Sequence, residues 1–455
     1  MAGSVMAPSR RWARSALLVL LVAGVAGCGV AGCGASAADL SASAGAGGGS
    51  AGGSGQGGGG GEAPSAPPVQ ASAIAVGAAH TCALLAGGSV ACWGDGSYGQ
   101  LGDGVPGDHH VATPALVPGL SGATAIRAGG NTTCAVVQGG AVTCWGDGTY
   151  GQLGDGKSGI GNASSSPVQV DGISGAVDLA ASGTNACAAL AGGTAWCWGL
   201  NSTQQWLGFA SSDCGPYQVQ ETNGKETWME EPCEPAPRQV PGVAGGLGIA
   251  DGGEHVCALF DGGVVRCWGA DNFGQLGDGL FGPNAHTAVP TLVVGLDGVT
   301  RLALGASHTC ALLGAGQGVV CWGDNSYGQL GIGAVGLDSY QTAPTKVPDL
   351  AGALDLDAAA ETTCAVLVNG TVQCWGDVSQ VLSTPASPDV SSPQSVAGVA
   401  SAVEVRTGGG HACVLREDQT VVCWGRNDLG QLGNGTIGPS DFTMVAVAAP
   451  QAGPG

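Results

Sequence analysis

The sequence predicts an all-β fold made by repeating one supersecondary unit, with the strand content of a β-propeller. Three observations carry this. First, an apolar strand with a Cys, a Gly-rich turn, Cys-Trp-Gly and, in most copies, a Gly-Gln-Leu-Gly loop recur seven times between Cys82 and Gly435. The first copy, HTCALLAGGSVACWGDGSYGQLGDG, starts at His80, and the fifth, HTCALLGAGQGVVCWGDNSYGQLGIG, starts at His308. Such self-similarity overrides the expectation that 455 residues divide into two or three unrelated domains. Second, 87 Gly and only 10% charged residues suit short strands joined by tight turns. Third, most copies hold four strand-like runs: the two Cys strands, a Pro-bearing run such as Thr113–Val117, and a short run such as Ala123–Ile126. Four strands in about 52 residues is the content of one propeller blade.

The chain opens with Arg10, Arg11 and Arg14, an apolar run from Ala16 to Ala26, and small residues before Cys28. Residues 1–27 therefore read as a signal peptide, since the run is shorter than the roughly 20 residues that span a bilayer. Val25-Ala26-Gly27-Cys28 resembles a bacterial lipobox, which implies acylation of Cys28; an ordinary secretory signal and a second site at Cys33 stay open. Gly29 rather than Asp after Cys28 resembles the outer-membrane sorting pattern of a two-membrane cell. Residues 28–71 are a tether. From 34 onward they are almost wholly Gly, Ala, Ser and Pro, with a root-mean-square reach of about 35 Å. The propeller is expected over 72–448, with an insertion at about 209–236 and a disordered tail at 449–455.

Within each copy the cysteines come in pairs: Cys82 with Cys92, Cys134 with Cys144, Cys187 with Cys197, Cys257 with Cys267, Cys310 with Cys321, Cys364 with Cys374 and Cys413 with Cys423. Six pairs have an offset of ten with a Gly turn midway, a β-hairpin signal that sets the two Cys opposite each other. A non-hydrogen-bonded pair brings Cα atoms to about 4.5 Å, within disulfide range. The fifth pair, at an offset of eleven, needs a bulge or a longer turn. Zinc ligands usually come closer together in sequence, and reduced core thiols suit cytosol, so the export signal favours disulfides.

The residue order, with Trp93-Gly94 leading to Gly99-Gln100-Leu101-Gly102 and Trp322-Gly323 to Gly328-Gln329-Leu330-Gly331, resembles the RCC1 (regulator of chromosome condensation) repeat family. The resemblance implies a seven-bladed propeller. Ala73–Val76 is the later part of a repeat unit and Phe442–Val447 an earlier part, so the two ends are expected to share one blade and close the ring.

Comparing copies moves most polar residues from candidate site to framework. His80, His255, His308 and His411 share a position that is Thr132, Asn185 and Thr362 elsewhere, which points to a hydrogen bond rather than to metal or catalysis. The seven tryptophans after Cys (Trp93, Trp145, Trp198, Trp268, Trp322, Trp375 and Trp424) read as packing, and Asp95, Asp147, Asp324 and Asp377 as turn formers. His109-His110, near Asp103 and Asp108, read as a solvated pair before a surface metal site. No catalytic residue, cofactor or metal is assigned. The main departure from the repeat lies between Cys197 and Cys257, where Trp206, Tyr217, Trp228, Glu230 and Glu231 accompany an extra pair, Cys214 with Cys233. A loop stapled in this way is the candidate partner-binding element, since preordering reduces the entropy lost on binding.

Removing residues 1–27 takes three Arg and no acid, so the net charge of −21 becomes −24. That disfavours nucleic acid, whose backbone needs a positive stripe. The expectation is an exported, lipid-anchored and monomeric module that binds a protein or glycan at the cell surface, outer-membrane or otherwise secreted, touching membrane only through its anchor. A secreted propeller hydrolase or lyase is the alternative. The nucleotide-exchange activity known in the family is not carried over, because fold alone does not carry function.

Overall fold

The computed structural model describes residues 68–450 apart from 203–205, 211, 221–225, 284, 337 and 383–388; for 212–220, 226–231 and 315 it describes the backbone alone. The signal peptide, Cys28, Cys33, the tether as far as 67 and the tail from 451 lie outside the described residues. Among the described residues no helix is long and apolar enough to cross a membrane.

Seven antiparallel sheets follow one another along the chain. Blade 1 shows the plan: an inner strand (Ala71–Val76), a cysteine strand (His80–Leu85), a tryptophan strand (Val90–Asp95) and an outer strand (His110–Leu116), hydrogen-bonded in that order. Blades 2 to 7 cover Ala123–Gln169, Ala176–Gln239, Gly246–Leu292, Val299–Lys346, Ala353–Ser395 and Ala402–Ala446. The first strand of each blade packs against the first strands of its neighbours, so these seven strands surround the centre. The result is the seven-bladed ring that the repeats predict.

The expected sharing of a blade by the two ends is corrected. The strand Ala71–Val76 joins the sheet of blade 1, with a single backbone bond from Ala71 N–H to the Gln419 carbonyl of blade 7, and Asp441–Ala446 joins the sheet of blade 7. Each is a short turn or loop away from its partner strand, and local hairpin closure costs less entropy than pairing the two ends of the chain. What crosses the seam is shorter: bridges Pro68↔Ala448 and Gln70↔Thr420, with the Val69 N–H donating to the Val447 carbonyl at 2.9 Å. These contacts also move the start of the body to Pro68, four residues before the expected boundary at 72. Val69 is buried beside Val447 in the core of the seam.

There is no single core. Seven apolar slabs lie between successive blades, and each contains one fully buried tryptophan of the Cys-Trp-Gly strands. All seven hairpin disulfides form as the spacing predicts. Cys82 is bonded to Cys92, Cys134 to Cys144, Cys187 to Cys197 and Cys257 to Cys267, each across directly facing residues with Cα atoms 4.1 Å apart. Cys310 bonded to Cys321, Cys364 to Cys374 and Cys413 to Cys423 complete the set at the same separation of 4.1 Å. The offset of eleven in the pair Cys310–Cys321 is absorbed by a longer turn through Gly314–Gly316, which keeps the two Cys in register. Each crosslink constrains a short loop of the unfolded chain, worth about 2.5 kcal/mol in the chain-entropy account.

Candidate functional site

The recurrent polar residues form joints between blades. The His308 Nε2–H donates to Thr363 Oγ1 of the next blade at 2.8 Å, and that hydroxyl donates to the Gln329 carbonyl at 3.1 Å. The same carbonyl accepts the Trp375 indole N–H at 2.9 Å. Thus one backbone oxygen of the Gly-Gln-Leu-Gly loop receives both the Thr and the Trp of the following blade. His80 with Thr133 and His255 with Thr309 repeat the arrangement on the Gln100 and Gln275 carbonyls. At the seam, His411 with Thr81, and Trp93 on the Gln431 carbonyl, repeat it again. The ring therefore closes with the same joint that it uses elsewhere.

Burial keeps these imidazoles neutral, with pKa values lowered to about 4 for His80 and about 3 for His255, His308 and His411. For His80, His255 and His308 space for the ring comes from a glycine three residues earlier: a Cβ on Gly305 would stand 2.2 Å from His308 Cε1. A Cβ on Gly433 would likewise stand 2.6 Å from Trp93 Nε1. The histidines, tryptophans and loop glutamines are thereby accounted for as framework.

The inner strands carry charge that the repeat does not dictate. Asp355 pairs with Arg301 and, at 3.0 Å, with Arg406, which also reaches Glu404 at 2.7 Å; Arg127 pairs with Asp178 at 3.0 Å. These acids also accept backbone N–H groups from the next blade, Val405 on Asp355 at 2.9 Å and Ile249 on Asp178 at 3.0 Å. Inner strands are sheet edges with unpaired N–H groups, and the carboxylates satisfy them. Three acids on the side of the ring where inner strands end are held partly protonated near neutrality. Burial raises Asp251 and Asp271 to about 7, and burial with Asp324, Asp377 and Glu254 nearby raises Glu361 to about 7.

The candidate partner-binding element is a β-ribbon rather than a loop. Ser212–Gln220 pairs with the first half of Glu226–Gln239, whose second half is the outer strand of blade 3, so this sheet has five strands. Tyr217 stands opposite Met229, Gln218 opposite Trp228 and Pro216 opposite Glu230, while Glu231 falls in the register shift between Asp213 and Pro216. Cys233 is disulfide-bonded and faces Ser212 in the register; for Cys214 the backbone alone is described. The expected limits of 209–236 are too wide. Phe209 is buried in the slab between blades 3 and 4 under the Arg238 guanidinium, 4.9 Å from its ring centroid.

Trp206 is also reassigned. Leu207 N–H donates to Asn201 Oδ1, as Leu330 N–H does to Asn325 Oδ1, which aligns Trp206-Leu207-Gly208 with Gln329-Leu330-Gly331. Trp206 therefore stands in the glutamine position of a framework loop, partly exposed, and is no part of the ribbon. The signal was present in the sequence as Trp-Leu-Gly, but a Trp in place of Gln hid it.

The regulator of chromosome condensation (RCC1) repeat matches residues 71–100, 123–152, 249–275, 299–329 and 402–431 in one family model, and 87–136, 139–190 and 263–312 in a second. Together these cover just over half of the chain. The chain belongs to the RCC1-repeat family. It is 29% identical over 322 residues to the ultraviolet-B receptor UVR8 of Arabidopsis thaliana, covering 69% of this chain and 66% of that protein. It is 32% identical over 248 residues to the E3 ubiquitin-protein ligase HERC2 of Mus musculus, covering 52% of this chain and 4% of the ligase. The chain thus spans less than two thirds of these relatives. Among solved structures, Prp20p of Saccharomyces cerevisiae superposes with a TM-score of 0.64 at 21% identity, covering 84% of this chain and 87% of that one.

Proposed function

We propose that this RCC1-repeat propeller is a non-enzymatic binding module, tethered through an acylated Cys28 to the outer side of an exporting membrane, and that its blade 3 ribbon engages a protein or glycan partner. The observation that carries the reading is the ribbon itself. In a ring whose recurrent polar residues are spent on blade joints, blade 3 alone among the described sheets adds a fifth strand, and that strand ends the sheet. Such an edge offers unpaired backbone groups to an extended segment. The solved yeast relative supports protein as the partner class, since the report of its structure describes binding to Gsp1p and histones. The lipobox-like Val25–Cys28 and the tether supply the anchor.

The test compares the full chain with a variant lacking residues 213–232 that also carries Cys233→Ser, in pull-downs from envelope extracts. Recovery of a partner by the full chain and its loss in the variant is the expected result; equal recovery overturns the ribbon assignment. In the same cells, labelled palmitate should enter the wild type and not Cys28→Ser. Labelling that persists in Cys28→Ser and disappears in Cys33→Ser moves the anchor to the second cysteine.

A further inference from the structure

Seven histidines are present, and four are sealed in the blade joints. Two of the remaining three, His109 and His110, are adjacent in sequence, and the fold separates their roles. The ring of His109 lies over Gly96, where a Cβ would come within 2.4 Å of it. Its Nε2 is 3.0 Å from Asp103 Oδ2 and its Nδ1 is 2.9 Å from the Gly107 carbonyl. His109 thus pins the loop that joins the tryptophan and outer strands of blade 1.

His110 opens the outer strand, directly opposite Asp95. Its Nδ1 is 3.4 Å from Asp95 Oδ1 and its Nε2 is 3.8 Å from Asp108 Oδ1. One ligand atom from each of Asp95, Asp108 and His110 lies within 4.8 Å of the other two. The Ser97 hydroxyl reaches both carboxylates, Asp95 Oδ1 at 2.5 Å and Asp108 Oδ1 at 3.0 Å. That is one proton shared between two acids. The ion pairs made here by Asp95 and Asp108 are with His110.

We propose that Asp95, Asp108 and His110 form a binding site for a divalent cation of the zinc type. Ligand bonds of about 2.0–2.2 Å place neighbouring ligand atoms roughly 3–3.5 Å apart, which is the present spacing of His110 and Asp95. Asp108, with 84% of its side chain exposed, closes the rest by a rotamer change. One imidazole with two carboxylates favours zinc-class ions over magnesium or calcium, which take all-oxygen shells. Ser97 and water fill the open positions.

Comparison between blades shows what is particular to blade 1. Asp147 and Asp324 hold the same turn, accepting from Thr149 and Ser326 as Asp95 accepts from Ser97. Yet Asp147 faces Ala163, and in blade 4 it is Ala270 that faces His286. Only where a framework aspartate meets His110, and the pinned loop delivers Asp108, do three candidate ligand residues converge among the described residues.

The site can be tested with untagged full-length protein titrated with zinc chloride alone, by competition with a chromophoric chelator. Cobalt(II) substitution, read from its visible d–d bands, gives a second signal. The wild type should bind one ion per chain, and His110→Ala and Asp108→Asn should each weaken binding about tenfold or more. His286→Ala should leave it unchanged, and melting curves without metal should show all variants folded. No binding at about 0.1 mM zinc, or equal affinity in wild type, His110→Ala and Asp108→Asn, overturns the proposal.

Discussion

Four of the seven blade joints are built on a histidine and three are not, and the two kinds differ at a second position as well. Each of His80, His255, His308 and His411 meets a threonine of the following blade: Thr133, Thr309, Thr363 and Thr81. Where the first position is Thr132, Asn185 or Thr362, the following blade has Ala186, Val256 or Ala412. The two threonines turn back on their own blade, Thr132 donating to the Asp147 carbonyl at 3.1 Å and Thr362 to that of Asp377, whereas Asn185 Nδ2 donates both to its own blade's Leu200 carbonyl at 3.3 Å and to the next blade's Gly253 carbonyl at 2.8 Å. A buried hydroxyl or imidazole without a partner costs about 1–3 kcal/mol, so the two positions are retained or lost together. The Trp-to-carbonyl bond occurs in both kinds, Trp198 on Gln152 and Trp424 on Val381 matching Trp375 on Gln329, although Trp268 Nε1 finds no partner among the described residues. Tryptophan therefore docks the blades, and the His–Thr pair adds a lock.

The largest effect should come from breaking one lock. His308→Ala leaves the Thr363 hydroxyl short of a partner and opens a cavity, and should cost about 3 kcal/mol. Thr132→Ala, at a joint without histidine, should cost about 1 kcal/mol. Guanidinium unfolding with the disulfides intact measures both, and equal costs would show that the lock contributes nothing beyond a local hydrogen bond.

Acid should narrow that difference. In the unfolded chain His308 takes up a proton below about pH 6.5, whereas in the folded chain it does so only near 3. The wild type therefore loses stability as pH falls through this window, and His308→Ala, which lacks the group, does not. Between pH 6.5 and 5 the gap between the two should shrink by about 2 kcal/mol. A gap that stays constant would mean that the buried imidazole titrates as it does in the unfolded chain.

The smallest effect comes from building a lock where none exists. Thr132→His with Ala186→Thr places the pair between blades 2 and 3, where Gly129 leaves room for the ring as Gly305 does for His308. A double-mutant cycle should show favourable coupling of about 1 kcal/mol. The same pair at Thr362 and Ala412 should show none, because Ala359 has a methyl group where Gly305 has none. Coupling at both joints would mean that the glycine is not what admits the ring.

The ribbon of blade 3 marks the limit of reading by repeat. Its extra residues were conspicuous between Cys197 and Cys257, yet they read as a loop, because a hairpin that extends an existing outer strand has no counterpart in the other six copies. Trp206 reads as part of that loop for the complementary reason: a framework position carries an unusual residue. The Asp95, Asp108 and His110 cluster was half visible. Asp108 and His110 stand out in the sequence with their neighbours, but Asp95 reads there as a turn former, and only the pairing of strand end with strand start shows that it faces His110.

By itself the sequence determined the strand content, the seven blades, the pairing of the hairpin cysteines from Cys82–Cys92 to Cys413–Cys423, and the framework standing of its repeated His, Trp and Asp. All of these follow from local hairpins and from comparing like positions along one chain. The tertiary structure decided how the ring closes, which threonine answers which histidine, and which acids meet at the centre and in blade 1. The contacts between blades join residues about 50 or 330 positions apart. Their partners are fixed by the packing of one blade on the next, and no local pattern encodes that.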